Sequence, residues 1–565
     1  MRFQNWDVRG FDRDAAVNLC REGFNPLISV LLVSRGVTDG EEVRSLISEG
    51  AGSLYDPFLL ADMGKAVARI NAAIAASERI AVFGDYDVDG MTSCAMLSIW
   101  LRSKKADYEV YIPSRLDEGY GLSKSALDKL KANGVNLVVT VDCGITAVEE
   151  AAHARALGMS LVITDHHECK TELPDADAVV DPKRPDCAYP NKVLAGVGVA
   201  FKLICALEPG IPTGELIDKY ADLVALGTIA DVMPVAGENR ELIRYGLKLI
   251  NEEPRLGLRY LLAETIAERR RVTSATVGFA LAPRLNAAGR MGRTELALEL
   301  LLTGDDSEAA QLAEMLGEMN DRRREMELSI FEEAASMLPE AAPDGPIVLA
   351  KRGWYQGVTG IVAAKMAERY GVPAIIISID DDGVGRGSCR SAGSFRIYEA
   401  LRSCEDLLDN YGGHDMASGV TIADGQIEEF RKRITGIYKE SSGDSPARGL
   451  RLDFEVEKPE LLAIENIAAL ESLEPFGAGH APPCICIRDA LLTSVQSIGS
   501  GKHSRLRIEK SGKFLDCIFF SMPAEDLGVG EGMRVDVAFE PQINVFRGRS
   551  SVQLHVFDMR PALPD

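Results

Sequence analysis

Asp85, Asp87 and Asp89 stand at alternate positions in the stretch Phe83-Gly-Asp-Tyr-Asp-Val-Asp-Gly90. Carboxylates this close repel one another unless something positive lies among them, and a divalent cation is the usual positive partner. The apolar run 79–83 before them reads as a buried strand. The run from Met91 to Trp100, unbroken by Gly or Pro, reads as a helix. A strand-to-helix turn of an open α/β sheet lies at the carboxyl edge, where ligands bind. Two plainer readings compete. One is a solvated acidic turn. The other is a helix-loop-helix calcium loop, with Asp85, Asp87, Asp89 and Gly90 at loop positions one, three, five and six. That loop needs a bidentate Glu at its twelfth position, where this chain has Met96, and it follows a helix rather than a strand. The calcium loop is rejected, and the solvated turn is weighed against the rest of the chain.

Further strands end in polar residues. Residues 135–142 end in Asp142, the run from Leu161 ends in Asp165-His166-His167, and Ala178–Val180 runs into Asp181. A fourth apolar run, 221–230, leads to Asp231. Singly, an Asp at a strand end more often caps a helix, and a His pair is more often incidental. Here all of them belong to one edge of one sheet. Carboxylate and imidazole without thiolate suit Mn²⁺ or Mg²⁺, with imidazole favouring Mn²⁺. More than four candidate ligands suggest two ions, ~3.5–4 Å apart. The elements that must hold them are strands alternating with helices, which predicts a doubly wound parallel sheet.

The rest of the chain bounds the class. Its 565 residues are too many for one core. No apolar run follows the charge of Met1-Arg2, so no signal peptide is expected, and no stretch is long enough to span a bilayer. The eleven cysteines include no C-x-x-C pair, which argues against a zinc module or a disulfide framework and for a reducing cytoplasm. A net charge of −23 counts against simple electrostatic binding of nucleic acid, although cations bring their own charge and basic patches can be local. Residues 1–75 read as mostly helical, with no chemistry of their own. From Leu302 to Leu338 a long helix is expected, capped by Asp305 with Glu308 and stopped by Pro339, ~45–50 Å in length. Its Arg322-Arg323-Arg324 centre, charged all round, suits a connector better than a core helix. Residues 346–440 form a second α/β unit, 441–449 read as a linker, and short alternating strands beyond it suggest a small barrel.

The set GDYDVDG (84–90), VDCG (141–144), TDHH (164–167) and LGTIADVMP (226–234) resembles, in order and spacing, the four motifs of the DHH phosphoesterase superfamily. YIPSRLDEGYG (111–121) and APRLNAAGRMG (282–292) resemble segments of the RecJ-type single-strand-specific exonucleases. The resemblance implies two α/β catalytic lobes joined by a long helix, plus a C-terminal OB-fold barrel. Its domains would be 1–75 N-terminal, 76–302 DHH, 303–345 connecting helix, 346–440 DHH-associated and 450–565 OB-fold. It implies a 5′→3′ exonuclease on single-stranded DNA, acting in recombination and repair by two-metal hydrolysis with Mn²⁺ preferred or Mg²⁺. Asp85, Asp87, Asp89, Asp142, His166 and Asp231 would be ligands, with Asp142 bridging. Asp165 would orient an imidazole, and His167 would face the scissile phosphate.

Arg115, Arg284 and Arg290 can each clamp a phosphate bidentately. With Asn286, and with Arg386, Ser388, Arg390, Gly412, Gly413 and His414 of the second lobe, they form the implied substrate set, Arg115 and Arg284 serving catalysis as well. The glycines would let backbone N–H groups approach a phosphate, although such a stretch can equally be a flexible loop. Tyr355 stands where the family commonly has His, so no cationic role transfers there, and His480 replaces a usual Asn. In the barrel, Lys502, Arg505, Arg507, Lys510 and Lys513 stand against Glu509, with Phe546 and Arg547 as further contacts. A plain packing domain is the competing reading of the barrel. A single-strand-binding protein and a RecQ-type helicase are partners implied by the resemblance. The rivals are a family phosphodiesterase on short oligonucleotides or cyclic dinucleotides, a polyphosphate or pyrophosphate hydrolase, and a non-catalytic replication scaffold.

Overall fold

A computed structural model of the chain describes residues 3, 5–47, 54–115, 118–119, 121–265, 271–339, 343, 345–441, 449–546 and 549–562. The chain divides into two compact units, Met1–Ala51 with Pro446–Asp565, and Gly52–Ser445. The segment read as 1–75 is thereby split. Its strand β1 (Asn5–Val8) and the helices Arg13–Arg21, Pro26–Ser34 and Gly40–Ile47 belong with the C-terminal barrel, and the helix Met63–Ala75 belongs with the larger unit. The partner of β1 begins at Gly449, so nothing local in the sequence announces that strand.

In the larger unit, β2 (Ile80–Phe83), β3 (Tyr108–Tyr111), β4 (Leu137–Val141), β5 (Ser160–Thr164) and β6 (Ala178–Val180) form a sheet in the order β3-β2-β4-β5-β6. Every pairing in it is parallel. Alternate residues of each strand feed opposite cores. Ile80, Val82, Leu137 and Val139 pack with the helices Met63–Ala75, Val88–Ser103 and Gly196–Leu207. Ala81, Phe83 and Val138 pack with the helices Lys124–Ala132 and Val148–Ala156. The sheet is doubly wound, as expected. Its order reverses between β2 and β4, which puts the switch point, and so the ligand crevice, between Asp85 and Asp142. The sequence reading missed β3, a half-buried edge strand. It also left the element before Asp231 open; that element is the helix Thr213–Ala230.

The long helix is Asp306–Ser336, capped by Asp305, whose carboxylate accepts the Glu308 N–H. It is not charged all round in its surroundings. Asn320, Arg323 and Glu327 line up on one buried face, where Arg323 donates to both of the others. Beyond it, β7 (Ile347–Arg352), β8 (Ala374–Ile379), β9 (Val384–Arg390), β10 (Asn410–His414) and β11 (Ala417–Ala423) form a sheet in the order β10-β11-β9-β8-β7. The Gly412-Gly413-His414 stretch is thus an edge strand paired with β11 rather than a loop.

In the smaller unit, β12 (Gly449–Leu452) pairs with β1. A closed five-stranded barrel follows, β13 (Ile485–Ile498), β14 (His503–Lys510), β15 (Lys513–Phe519), β16 (Arg534–Phe546) and β17 (Arg549–Pro561), in the order β13-β14-β15-β17-β16. The sequence reading missed β13. Its register shifts beside Leu492 and between Ile487 and Ala490 break the period-2 pattern by which strands are found. Most of the expected linker, 442–448, lies outside the described residues, as does Arg547, and the Phe546 side chain is not described.

Candidate metal centre and phosphate pocket

Three helices converge on the turn after β2. Asp87 caps the helix Val88–Ser103, its carboxylate accepting the Gly90 N–H at 3.1 Å. Asp89, buried, accepts the N–H groups of Gly196 (2.7 Å) and Val197 (2.8 Å) at the start of a second helix. Asp231 ends the third, Thr213–Ala230. Two glycines permit the approach. A Cβ on Gly196 would lie 2.6 Å from Asp142 Cβ, and one on Gly227 would lie 2.7 Å from Asp89 Oδ1. Asp142 itself follows β4 in the left-handed region, at φ 61°, a conformation Asp tolerates better than most residues.

His166 Nε2 lies 3.1 Å from Asp142, 3.5 Å from Asp231 and 3.8 Å from Asp89. Asp85, Asp87 and Asp142 form one group able to hold an ion, Asp89, His166 and Asp231 another, and Asp142, His166 and His167 a third. The donor set fits a cation. Burial and mutual repulsion push Asp85, Asp89 and Asp142 well above the usual carboxylate range, and Asp85 Oδ1 is buried with no hydrogen-bond donor among the described residues. Burial, with the neighbouring His167, lowers His166 to about 3 and leaves it a neutral ligand. A divalent cation would reverse the carboxylate shifts.

Asp165 is the orienting residue of this edge. It accepts N–H groups from Ile145, His166 and His167, and the His167 Nδ1 at 2.7 Å. Burial works to lower His167, but the hydrogen bond to Asp165 and the fields of Asp165, Asp231 and Asp89 outweigh it and hold it at about 9. The bond to Asp165 thus favours the protonated form of His167.

A second cluster is made of arginines. Arg115 lies over the Tyr86 ring, 4.9 Å from its centroid. Arg290 is driven down to about 9 by burial and by Arg115, Arg323 and Arg390. On β9, Ser388 and Arg390 share one face. The Ser388 hydroxyl lies 3.1 Å from that of Thr359, and a Cβ on Gly360 would lie 3.1 Å from the Arg390 guanidinium. Across the sheet, Arg390 is in register with Ala417, and Ala417 with His414, which places His414 on the same row. Asn286 holds the metal turn, its Oδ1 accepting the Val88 N–H at 3.2 Å.

Two expected residues stand apart. Arg284 donates to the Ala280 carbonyl, and its charged neighbours are Arg324, Asp321 and Glu264 rather than the arginine cluster. Arg386 pairs with Asp380 at 3.0 Å. The sequence reading missed Tyr86, Thr359 and the Gly196 and Val197 N–H groups; the last were signalled by the glycine-rich Leu194-Ala-Gly-Val-Gly-Val-Ala200.

Residues 79–228 match the DHH family, N-terminal domain, residues 344–440 the DHHA1 domain, and residues 452–558 the RecJ OB domain. The chain is 38% identical over 560 residues to the single-stranded-DNA-specific exonuclease RecJ of Bacillus subtilis, an alignment covering 98% of this chain and 70% of that one. The chain belongs to the RecJ family. Its fold matches RecJ of Thermus thermophilus in complex with Mn²⁺, with a TM-score of 0.84 and 30% identity over 99% of this chain and 80% of that one. It matches the Mg²⁺ complex with a TM-score of 0.78 and 29% identity over 99% and 79%. Against the RecJ-type pattern, the Tyr355 hydroxyl donates to the Arg290 carbonyl at 3.0 Å, a neutral tie between the two lobes where the family commonly has His. His480 stacks on Phe476 at 5.3 Å and hydrogen-bonds the Leu473 carbonyl through Nε2.

On the barrel, Arg507 pairs with Asp516 (2.9 Å), Lys510 with Asp489 (3.8 Å) and Lys513 with Glu460 (4.0 Å), so much of the expected basic patch is neutralised in place. Arg505 is exposed on the same face of β14 as His503. His503, Phe520 and His555 form an edge-to-face row with centroids 5.6 and 5.2 Å apart, and Phe520 is 47% exposed. Among the described residues, no helix is long and apolar enough to cross a membrane.

Proposed function

We propose that the protein is a single-stranded-DNA-specific exonuclease that hydrolyses phosphodiester bonds with two divalent cations and releases 5′-mononucleotides in the 5′→3′ direction. The observation that carries the end-specificity is the arginine cluster. Arg115, Arg290 and Arg390 are gathered beside one another, and the strongest influences on Arg290 are burial and three other cations. Like charges held together out of water call for a multiply charged anion, and a terminal phosphate is one.

Asp85, Asp87 and Asp142 would hold one cation and Asp89, Asp142, His166 and Asp231 the other, with Asp142 shared. When bound, the cations would supply charge neutralisation at the phosphate and lower the pKa of water. The side chains of this chain do the rest. Asp165 fixes the His167 ring and favours its protonated form, so that it can donate to a non-bridging oxygen of the scissile phosphate as negative charge builds there. Arg115, Arg290, Arg390, Ser388 and His414 bind the terminal phosphate and set the register of the strand. Asn286 and the N–H groups of Gly196 and Val197 hold the carboxylates in place. Arg505 and the aromatic row of the barrel offer charge and stacking faces to the strand. A single-strand-binding protein and a RecQ-type helicase as partners, a role in recombination and repair, and a cytoplasmic setting complete the proposal. All eleven cysteines being free agrees with that setting.

The test is a long single strand labelled at its 5′ or its 3′ end, incubated with Mn²⁺, Mg²⁺ or EDTA. Immediate release of labelled mononucleotide from the 5′ end, a shortening ladder from the 3′ label and silence in EDTA are expected. Arg390→Ala should raise KM for a 5′-phosphorylated strand more than for a 5′-hydroxyl strand. A long strand left intact with both metals, while dinucleotides are cut, would overturn the reading in favour of a short-substrate phosphodiesterase.

A further inference from the structure

Pro283 sits in the second position of the helix Ala282–Arg290. Having no N–H, it cannot bond the carbonyl four residues earlier, that of Phe279. The preceding turn, Val277–Leu281, is correspondingly a π-helix, with the Ala282 N–H reaching back to the Val277 carbonyl. π-turns inside helices recur at functional sites. Arg284, expected to bind phosphate, instead donates to the Ala280 carbonyl within this turn. Val277 and Leu281 are buried, whereas Phe279 between them is 81% exposed.

The position of that exposed ring gives it a use. Gly278 abuts Ile229, a Cβ there lying 3.8 Å from Ile229 Cγ2, and Ile229 is two residues before the candidate ligand Asp231. Val232, on the other side of Asp231, is 70% exposed and held at φ 55°, where a β-branched residue rarely sits. Further along the same helical rod, Asn286 holds the Val88 N–H, a Cβ on Gly289 would lie 2.3 Å from the Tyr86 carbonyl, and Arg290 enters the arginine cluster. One rod thus carries the terminal-phosphate charge at one end, the carboxylate turn against its middle and an exposed aromatic face at the other. From Phe279 to Arg290 it spans ~16 Å at ~1.5 Å per residue.

We propose that Phe279 is a stacking platform for a nucleobase of the strand just beyond the scissile phosphate, Val232 forming the apolar rim beside it. This rests on the reading of the protein as a single-strand exonuclease. Stacking on an aromatic face is tolerant of sequence, because every base has such a face. It would keep the strand in line after each release, when the next phosphate must move into the site. No covalent step is involved. Phe279 acts on substrate by contact alone.

The test uses the full chain with Phe279→Ala and Phe279→Trp, and a strand carrying 2-aminopurine at successive positions from its 5′ end. In EDTA, with no turnover, wild-type protein should quench 2-aminopurine at one or two positions near the 5′ end. Phe279→Ala should lose that quench and Phe279→Trp should restore it. With Mn²⁺, Phe279→Ala should raise KM for a long strand roughly tenfold, a typical factor for one lost stack, with kcat falling less. The KM rise should be smaller on a dinucleotide. Quenching unchanged by Phe279→Ala, or equal KM effects on long and dinucleotide substrates, would overturn the platform while leaving the exonuclease reading intact. Wild-type protein that cuts neither substrate with either metal would overturn that reading, and the platform with it.

Discussion

Asp89 shows how a candidate ligand also serves as a structural pin. Its two backbone hydrogen bonds from Gly196 and Val197 mean that Asp89→Ala would free a helix start as well as remove a candidate ligand. Asp165→Asn leaves the candidate ligands in place but weakens the hold on His167, and kcat should fall roughly 10–100-fold. Both buried Asp165 oxygens accept N–H groups, so the new amide NH2 must face one of them, and the thermal midpoint should fall as well; steady-state kinetics beside calorimetry check both. Asp181 gives a pH-dependent test. Burial, with repulsion from Asp165, raises its carboxyl to about 7. An acid whose folded pKa lies above its unfolded value costs stability as pH rises from the unfolded value to the folded one. In EDTA, Asp181→Asn should therefore raise the melting temperature at pH 8, with the gain shrinking as pH falls from 7 towards 4. A gain of equal size at both ends would refute the assignment. Among single residues, the carboxylates and the His pair were legible in the sequence because their spacing is local. The arginine pocket was legible only in part, since which arginines meet depends on β9 and on the helix Ala282–Arg290. Arg284, two turns from Arg290, was indistinguishable from it by residue type alone.

At the scale of elements, the parallel strands β2, β4 and β5 were legible because strands buried on both faces read as unbroken apolar runs. The half-exposed edge β3, the bulged β13 and the hairpin of β10 and β11 were not, because their pairing partners rather than their own patterns define them. The helix Gly196–Leu207 carries an ion pair the sequence could not reveal. Lys202 and Glu238 are both buried, and Lys202 donates to Glu238 Oε1. Glu238 also accepts from Tyr189 and from the Tyr55 N–H, while Lys202 donates to the Tyr55 carbonyl at 2.9 Å. The cluster ties the segment around Tyr55 to two helices. Lys202→Met strands the carboxylate and should cost roughly 3–5 kcal/mol in urea denaturation. Changing Lys202 and Glu238 together to apolar residues should recover part of that loss, and no recovery would show that the other bonds of Glu238 dominate.

At the scale of the whole molecule, the three domain types were legible from motifs, but the membership of the first 51 residues was not. Leu27, Ile28, Leu31 and Leu32 share a core with Phe454, Ile467 and Leu473. Arg35 forks onto Asp453 through Nε (2.9 Å) and Nη2 (2.8 Å). No periodicity within residues 1–51 could have shown that their apolar stripe is covered by a segment from the far end of the chain. Removing residues 1–51 should leave β12 without its partner and this core open. Hydrogen exchange across 449–473 should then rise by orders of magnitude while protection of β2, β4 and β5 is kept. Unchanged protection in 449–473 would show that the barrel stands without its N-terminal cover.

That shared core has a consequence during synthesis. The helices of residues 1–51 leave the ribosome long before the residues that cover them, which follow only after roughly 390 others, 52–445, have been made. At ~5–20 residues per second the wait is roughly 20–80 s. The catalytic unit holds both ends of every one of its own contacts and can close in the interval, while an apolar surface built from Leu27, Leu31 and their neighbours stays wet. A chaperone that grips exposed leucine-rich helices would find its binding site here early and lose it last. A chain cut short anywhere within 52–445 would keep that site open, marked for removal by the helices of residues 1–51.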